Sequence, residues 1–173
     1  ATREPGDLDG GPWFVTRANP KTRVDWQVYL SDFALRHFKA LHAITGVGDD
    51  KSDWCFPARH QKGHVNVKTM SKQVGDRQMR FKNRKPLKNR RNDNTLVLSK
   101  GECGEWTPHD LRRTAATMMQ ALGVSLDVID RCQNHVMPGS KVRRHYMHHD
   151  YADEKRDSWG KLGTRLDAIL AEA

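Results

Sequence analysis

A chain of 173 residues with 36% hydrophobic content is long enough to form one domain with its own core, and its periodic segments exclude a disordered chain. A formal charge of +9 favours a polyanionic partner, nucleic acid ahead of a phospholipid surface, and no apolar run reaches the roughly 20 residues that span a bilayer. The N-terminus lacks a secretory pattern and the three cysteines, Cys55, Cys103 and Cys132, are odd in number and unpaired in spacing, which predicts a reducing, cytoplasmic setting without a disulfide framework.

In chain order, Asp7-Leu-Asp-Gly-Gly11 carries the signature of a tight turn, and the β-prone Trp13-Phe-Val-Thr16 follows it. A second short strand is expected at Trp26–Leu30. The polar stretch Arg17–Arg23 between them predicts a hairpin turn with Lys21 near its tip. Ser31 then caps a helix whose apolar positions are Phe33, Leu35, Phe38 and Leu41, ending before Gly46. Cys55–Ala58 reads as a short buried connector, and Asn66 as the cap of a helix running towards Phe81.

From Arg80 to Arg91 the pattern breaks. Arg80, Lys82, Arg84, Lys85, Lys88, Arg90 and Arg91 crowd around Pro86, which predicts a basic loop. A solvated charge run is the plain reading of such a stretch. Seven cations in twelve residues favour contact with a DNA backbone instead.

Thr107 reads as a helix N-cap, Pro108 as the first helical residue and Asp110 as the acid that closes a capping box. Leu111, Ala115, Met118 and Leu122 form the apolar stripe of this helix, which is expected to end near Gly123. His109 and Arg112 lie three apart on another face. An imidazole, a guanidinium fork and the unpaired amides of a helix start suit a phosphate, although a carboxylate also fits. Ser125 caps a further helix to about Asn134. The chain from Lys141 reads as two helical pieces, the second with the stripe Trp159, Leu162, Leu166 and Ile169. There is no internal repeat.

His109-Asp-Leu-Arg112, His135 and Tyr146 together resemble the catalytic domain of the tyrosine recombinases, the phage-integrase family. Trp106–Thr117, Val128–His135 and His148–Lys155 look like the integrases of prophages and genomic islands, and the similarity extends from the Asp7–Gly11 turn to the final helix. The resemblance implies an α+β, predominantly helical fold with a small antiparallel sheet. It also implies site-specific recombination of double-stranded DNA through a 3′-phosphotyrosyl intermediate, by a bacterial, nucleoid-associated protein that forms a tetramer at its attachment sites. In that frame Tyr146 is the nucleophile and Arg112 stabilises charge on the non-bridging oxygens. His109 assists proton transfer, His135 donates to the phosphate, and Lys21 protonates the departing 5′-oxygen. Arg113 and the basic loop would hold DNA. No cofactor or metal is required, because preorganised cations stabilise the transition state and a covalent link conserves the bond energy.

The family's first catalytic arginine lies ahead of the Asp-Leu-Asp-Gly-Gly turn, where only six residues precede it here and Arg3 is too close. The expectation is a single catalytic domain over 1–173, the C-terminal part of a larger integrase, impaired on its own. Tyr151 rivals Tyr146. Cys132, His135, His145, His148 and His149 admit a zinc reading that competes with phosphate for His135. The terminal stripe is open between intramolecular core and a neighbouring protomer. A noncatalytic DNA-binding remnant and a type IB topoisomerase are the alternative functions.

Overall fold

A computed structural model describes residues 12–18, 25–45, 54–58, 63–78, 104–135 and 149–172. These are predominantly helical, with one two-stranded antiparallel sheet. They divide into two compact units, residues 1–55 with 115–173 and residues 56–114.

In the first unit, β1 (Trp13–Val15) pairs with β2 (Trp26–Val28) in the register Trp13 to Val28 and Val15 to Trp26. The two-residue alternation of a strand puts these four side chains on one face and Phe14 and Gln27 on the other. Beside the paired strands the Arg17 amide donates to the Asp25 carboxylate at 2.7 Å. Helix α1 (Asp32–Thr45) follows. The Ser31 hydroxyl accepts from the Ala34 amide at 3.3 Å, as its capping role predicts, and Trp13 meets Phe38 edge to face at 5.6 Å.

The core lies where the C-terminal half of α3 (Pro108–Ala121) meets α4 (Leu126–Cys132) and α5 (Ala152–Ala171). Met119, Val124, Val128, Ile129, Cys132 and Leu162 are buried together, flanked by Ala115, Ala116, Met118, Tyr151, Trp159 and Leu166. The expected α3 stripe is therefore corrected. Met119 is its buried centre, whereas Leu111 is 57% exposed, and the core cluster takes side chains of α3 only from Ala115 onward. Of the α5 stripe, Leu162 is buried and Trp159 and Leu166 pack on the core, while Ile169 is exposed.

Two helix ends are built alike. Gly123 (φ +80°) turns the chain out of α3, with the Gly123 amide on the Gln120 carbonyl and the Val124 amide on Met119. Asn134 (φ 52°) does the same after α4, with its amide on the Arg131 carbonyl and the His135 amide on Asp130. These paired bonds satisfy carbonyls left open by a helix end and demand a left-handed residue, which glycine and asparagine supply at least cost. Helix α5 begins from Asp150, whose carboxylate accepts from the Ala152 amide at 3.0 Å.

In the second unit, α2 (Val67–Asp76) is capped by Asn66, whose side chain accepts from the Lys68 amide at 2.9 Å. It ends at Asp76, short of Phe81, which is outside the described residues. The expected buried connector is instead exposed at Cys55 and Phe56. It is held by main-chain pairing, with the Val65 amide on the Phe56 carbonyl and a bridge from Pro57 to His64. Apolar composition did not bury it, since large apolar side chains are common on protein surfaces.

Candidate functional site

The start of α3 is organised by Asp110. Its carboxylate accepts from the Thr107 amide at 2.9 Å and from the Thr107 hydroxyl at 2.7 Å, so the capping box forms with the hydroxyl acting as donor. These bonds, with lesser help from the charges of Arg113 and His109, hold the Asp110 carboxyl below the usual carboxylate range. Arg113 reaches back to the same acid at 3.4 Å. His109 and Arg112 are both exposed on this first stretch of helix, one turn apart, beside its amide end.

Gln78 fixes where that helix begins. It is wholly buried, and its carboxamide clamps Trp106 on both sides, accepting from the Trp106 amide at 2.9 Å and donating to the Trp106 carbonyl at 2.8 Å. A second donation reaches the Val74 carbonyl at 3.3 Å. The amide thus has a partner for each of its polar atoms, as a buried carboxamide requires. Nothing in the sequence around Gln78 marks it, because the contact joins residues 28 apart.

His135 is set by another device. Beyond the backbone bond already described, its Nδ1 lies 2.8 Å from a carboxylate oxygen of Asp130, and its side chain is about half exposed. Asp130 was not singled out from the sequence either. The signal available was the left-handed Asn134, which folds the chain back over the last turn of α4.

Several of the expected residues fall elsewhere. Tyr146, Lys21 and the basic residues Arg80, Lys82, Arg84, Lys85, Lys88, Arg90 and Arg91 lie outside the described residues, as do His145 and His148. Tyr151 is committed to structure. Its ring packs on the core, carries the Arg131 guanidinium 3.8 Å from its centroid and meets His149 at 4.5 Å. The zinc pair Cys132-x-x-His135 is divided by burial. Cys132 is 1% exposed in the core, and desolvation pushes its thiol up to about 11, while His135 faces outward onto Asp130.

A family model described as the phage integrase family matches residues 5–153. The chain belongs to that family. The match takes in α3, with His109 and Arg112, as well as His135 and the segment bearing Tyr146. No curated protein and no solved structure gives a significant match. Phage integrases are tyrosine recombinases that act on DNA in site-specific recombination. Among the described residues, no helix is long and apolar enough to cross a membrane.

Proposed function

We propose that this integrase cleaves and rejoins double-stranded DNA at attachment sites through Tyr146. The Tyr146 oxygen bonds to phosphorus as the phosphorus–O5′ bond breaks, leaving a 3′-phosphotyrosyl link and a 5′-hydroxyl. His109 takes part in moving the phenolic proton, and Lys21 protonates the leaving 5′-oxygen. Arg112 and His135 stabilise charge on the non-bridging oxygens, which in phosphoryl transfer supplies much of the rate. Reversal with a 5′-hydroxyl from another duplex rejoins the strands without a metal or nucleotide. Arg113 and Arg80–Arg91 hold the DNA backbone, and the working assembly is a tetramer on DNA in the bacterial cytoplasm.

The observation that carries this reading is the exposed pair His109 and Arg112 on the first stretch of a helix whose start is fixed by both Asp110 and Gln78. The test is covalent capture in the full-length gene product, with a nicked duplex that prevents religation. The expected result is a detergent-stable protein–DNA adduct that Tyr146→Phe abolishes and Tyr151→Phe retains. An adduct that persists in Tyr146→Phe overturns the assignment. DNA binding without any adduct would leave a noncatalytic binding module, and relaxation without exchange between duplexes a topoisomerase.

A further inference from the structure

We propose that Asp130 is a positioning residue for His135, selecting which imidazole nitrogen faces DNA. This rests on the reading of His135 as a phosphate ligand. Asp130 grips His135 twice, through its carbonyl, which accepts from the His135 amide at 2.9 Å, and through its carboxylate, 2.8 Å from Nδ1. It is itself on a rigid platform, since Val128, Ile129 and Cys132 on the same short helix are buried in the core. The left-handed Asn134 brings the histidine back over that helix, so the backbone and the side chain converge on a single residue.

A carboxylate only accepts, so the nitrogen facing it carries the proton. Nδ1–H is thereby committed to Asp130, and Nε2 is the nitrogen with no partner among the described residues. In the neutral ring Nε2 is an acceptor. A phosphate oxygen arriving there is met by a donor only when Nε2 gains a proton, and the resulting imidazolium lies between two anions, Asp130 and the phosphate. Without Asp130 either nitrogen can carry the proton and the ring is free to turn, so its donor is no longer aimed.

The test is a long-range proton–nitrogen correlation spectrum of the histidine-labelled chain at about pH 8, where an ordinary imidazole is neutral. The His135 signals are identified by their loss in His135→Gln. The expected wild-type state is Nδ1–H with bare Nε2, and Asp130→Ala, which leaves no side-chain acceptor for Nδ1–H, should move the proton population towards Nε2. A short duplex should then protonate Nε2 in the wild type, and Asp130→Ala should weaken duplex binding by roughly fivefold to tenfold, the scale of one ordinary hydrogen bond that is no longer aimed. A wild-type Nε2–H tautomer overturns the proposal even if Asp130→Ala fails to fold, and so does a tautomer unchanged in that variant when it is folded. If the wild type shows Nδ1–H but duplex leaves the His135 signals unmoved, the grip of Asp130 is upheld and the phosphate reading of His135 fails.

Discussion

Burial decides the chemistry of Cys132. It sits in the core with Val128, Ile129 and Leu162, and desolvation lifts its thiol from 9.0 to about 11. An acid whose folded value rises favours its neutral form in the native state. Its contribution to stability is therefore complete below about pH 9 and is lost as pH rises towards 11. From thiolate fraction alone, Cys132 should alkylate about 100-fold more slowly than an ordinary thiol, and burial slows it further. Peptide mapping after brief iodoacetamide treatment should find the exposed Cys55 labelled and Cys132 intact until urea unfolds the chain. Equal labelling in the native state would place the Cys132 thiol outside the core. At this scale the sequence was legible where partners are neighbours. Thr107 and Asp110 announced their capping box by spacing, although the direction of the hydroxyl bond depends on local geometry. Gln78 on Trp106 was not legible, because that contact exists only after folding.

Among the elements, the positions of α1, α3, α4 and α5 follow from caps and apolar spacing, whereas which turns are covered does not. A stripe of period 3.6 runs the length of a helix, but the core cluster takes side chains of α3 only from Ala115 onward, and Leu111 is exposed. Close approach is equally invisible in a pattern. Gly160 and Gly163 occupy the same helix and differ in what faces them. A Cβ on Gly163 would lie 2.5 Å from the Ser31 hydroxyl oxygen and 2.6 Å from its Cβ, whereas one on Gly160 would meet no described atom within 4 Å. Gly160→Ala should therefore gain up to ~1 kcal/mol from helix propensity. Gly163→Ala should lose ~1–3 kcal/mol, since the obstructing atoms belong to the residue that caps α1. Urea unfolding of the two variants separates these outcomes, and equal stability would mean that α1 and α5 are not in close contact at Ser31.

At the scale of the whole molecule, two patterns of charge stand out. Along the described helices cations meet acids, with Arg36 beside Asp167, Arg131 beside Asp127, Arg156 beside Asp153 and Lys161 beside Asp157. Such exposed pairs add little stability, ~0–1 kcal/mol each, but they cancel one another's field at a distance. Arg80–Arg91 contains seven cations and no acid, so most of the net charge of +9 resides there. Neutralising each phosphate of a duplex releases counterions, and the slope of log affinity against log salt steepens by about 0.9 per contact. Reversing Lys85, Lys88 and Arg90 to glutamate should make that slope shallower by up to about 3 and weaken binding alike on all sequences. Arg36→Ala and Arg156→Ala remove the same kind of charge from positions already balanced by Asp167 and Asp153, so their slopes should stay at the wild-type value. A triple variant at Lys85, Lys88 and Arg90 that keeps the wild-type slope would show that the charge which dominates the sequence does not touch DNA. The phosphate contacts would then have to come from cations elsewhere in the chain, among them Arg113 of α3, which must give up Asp110 before it can bind.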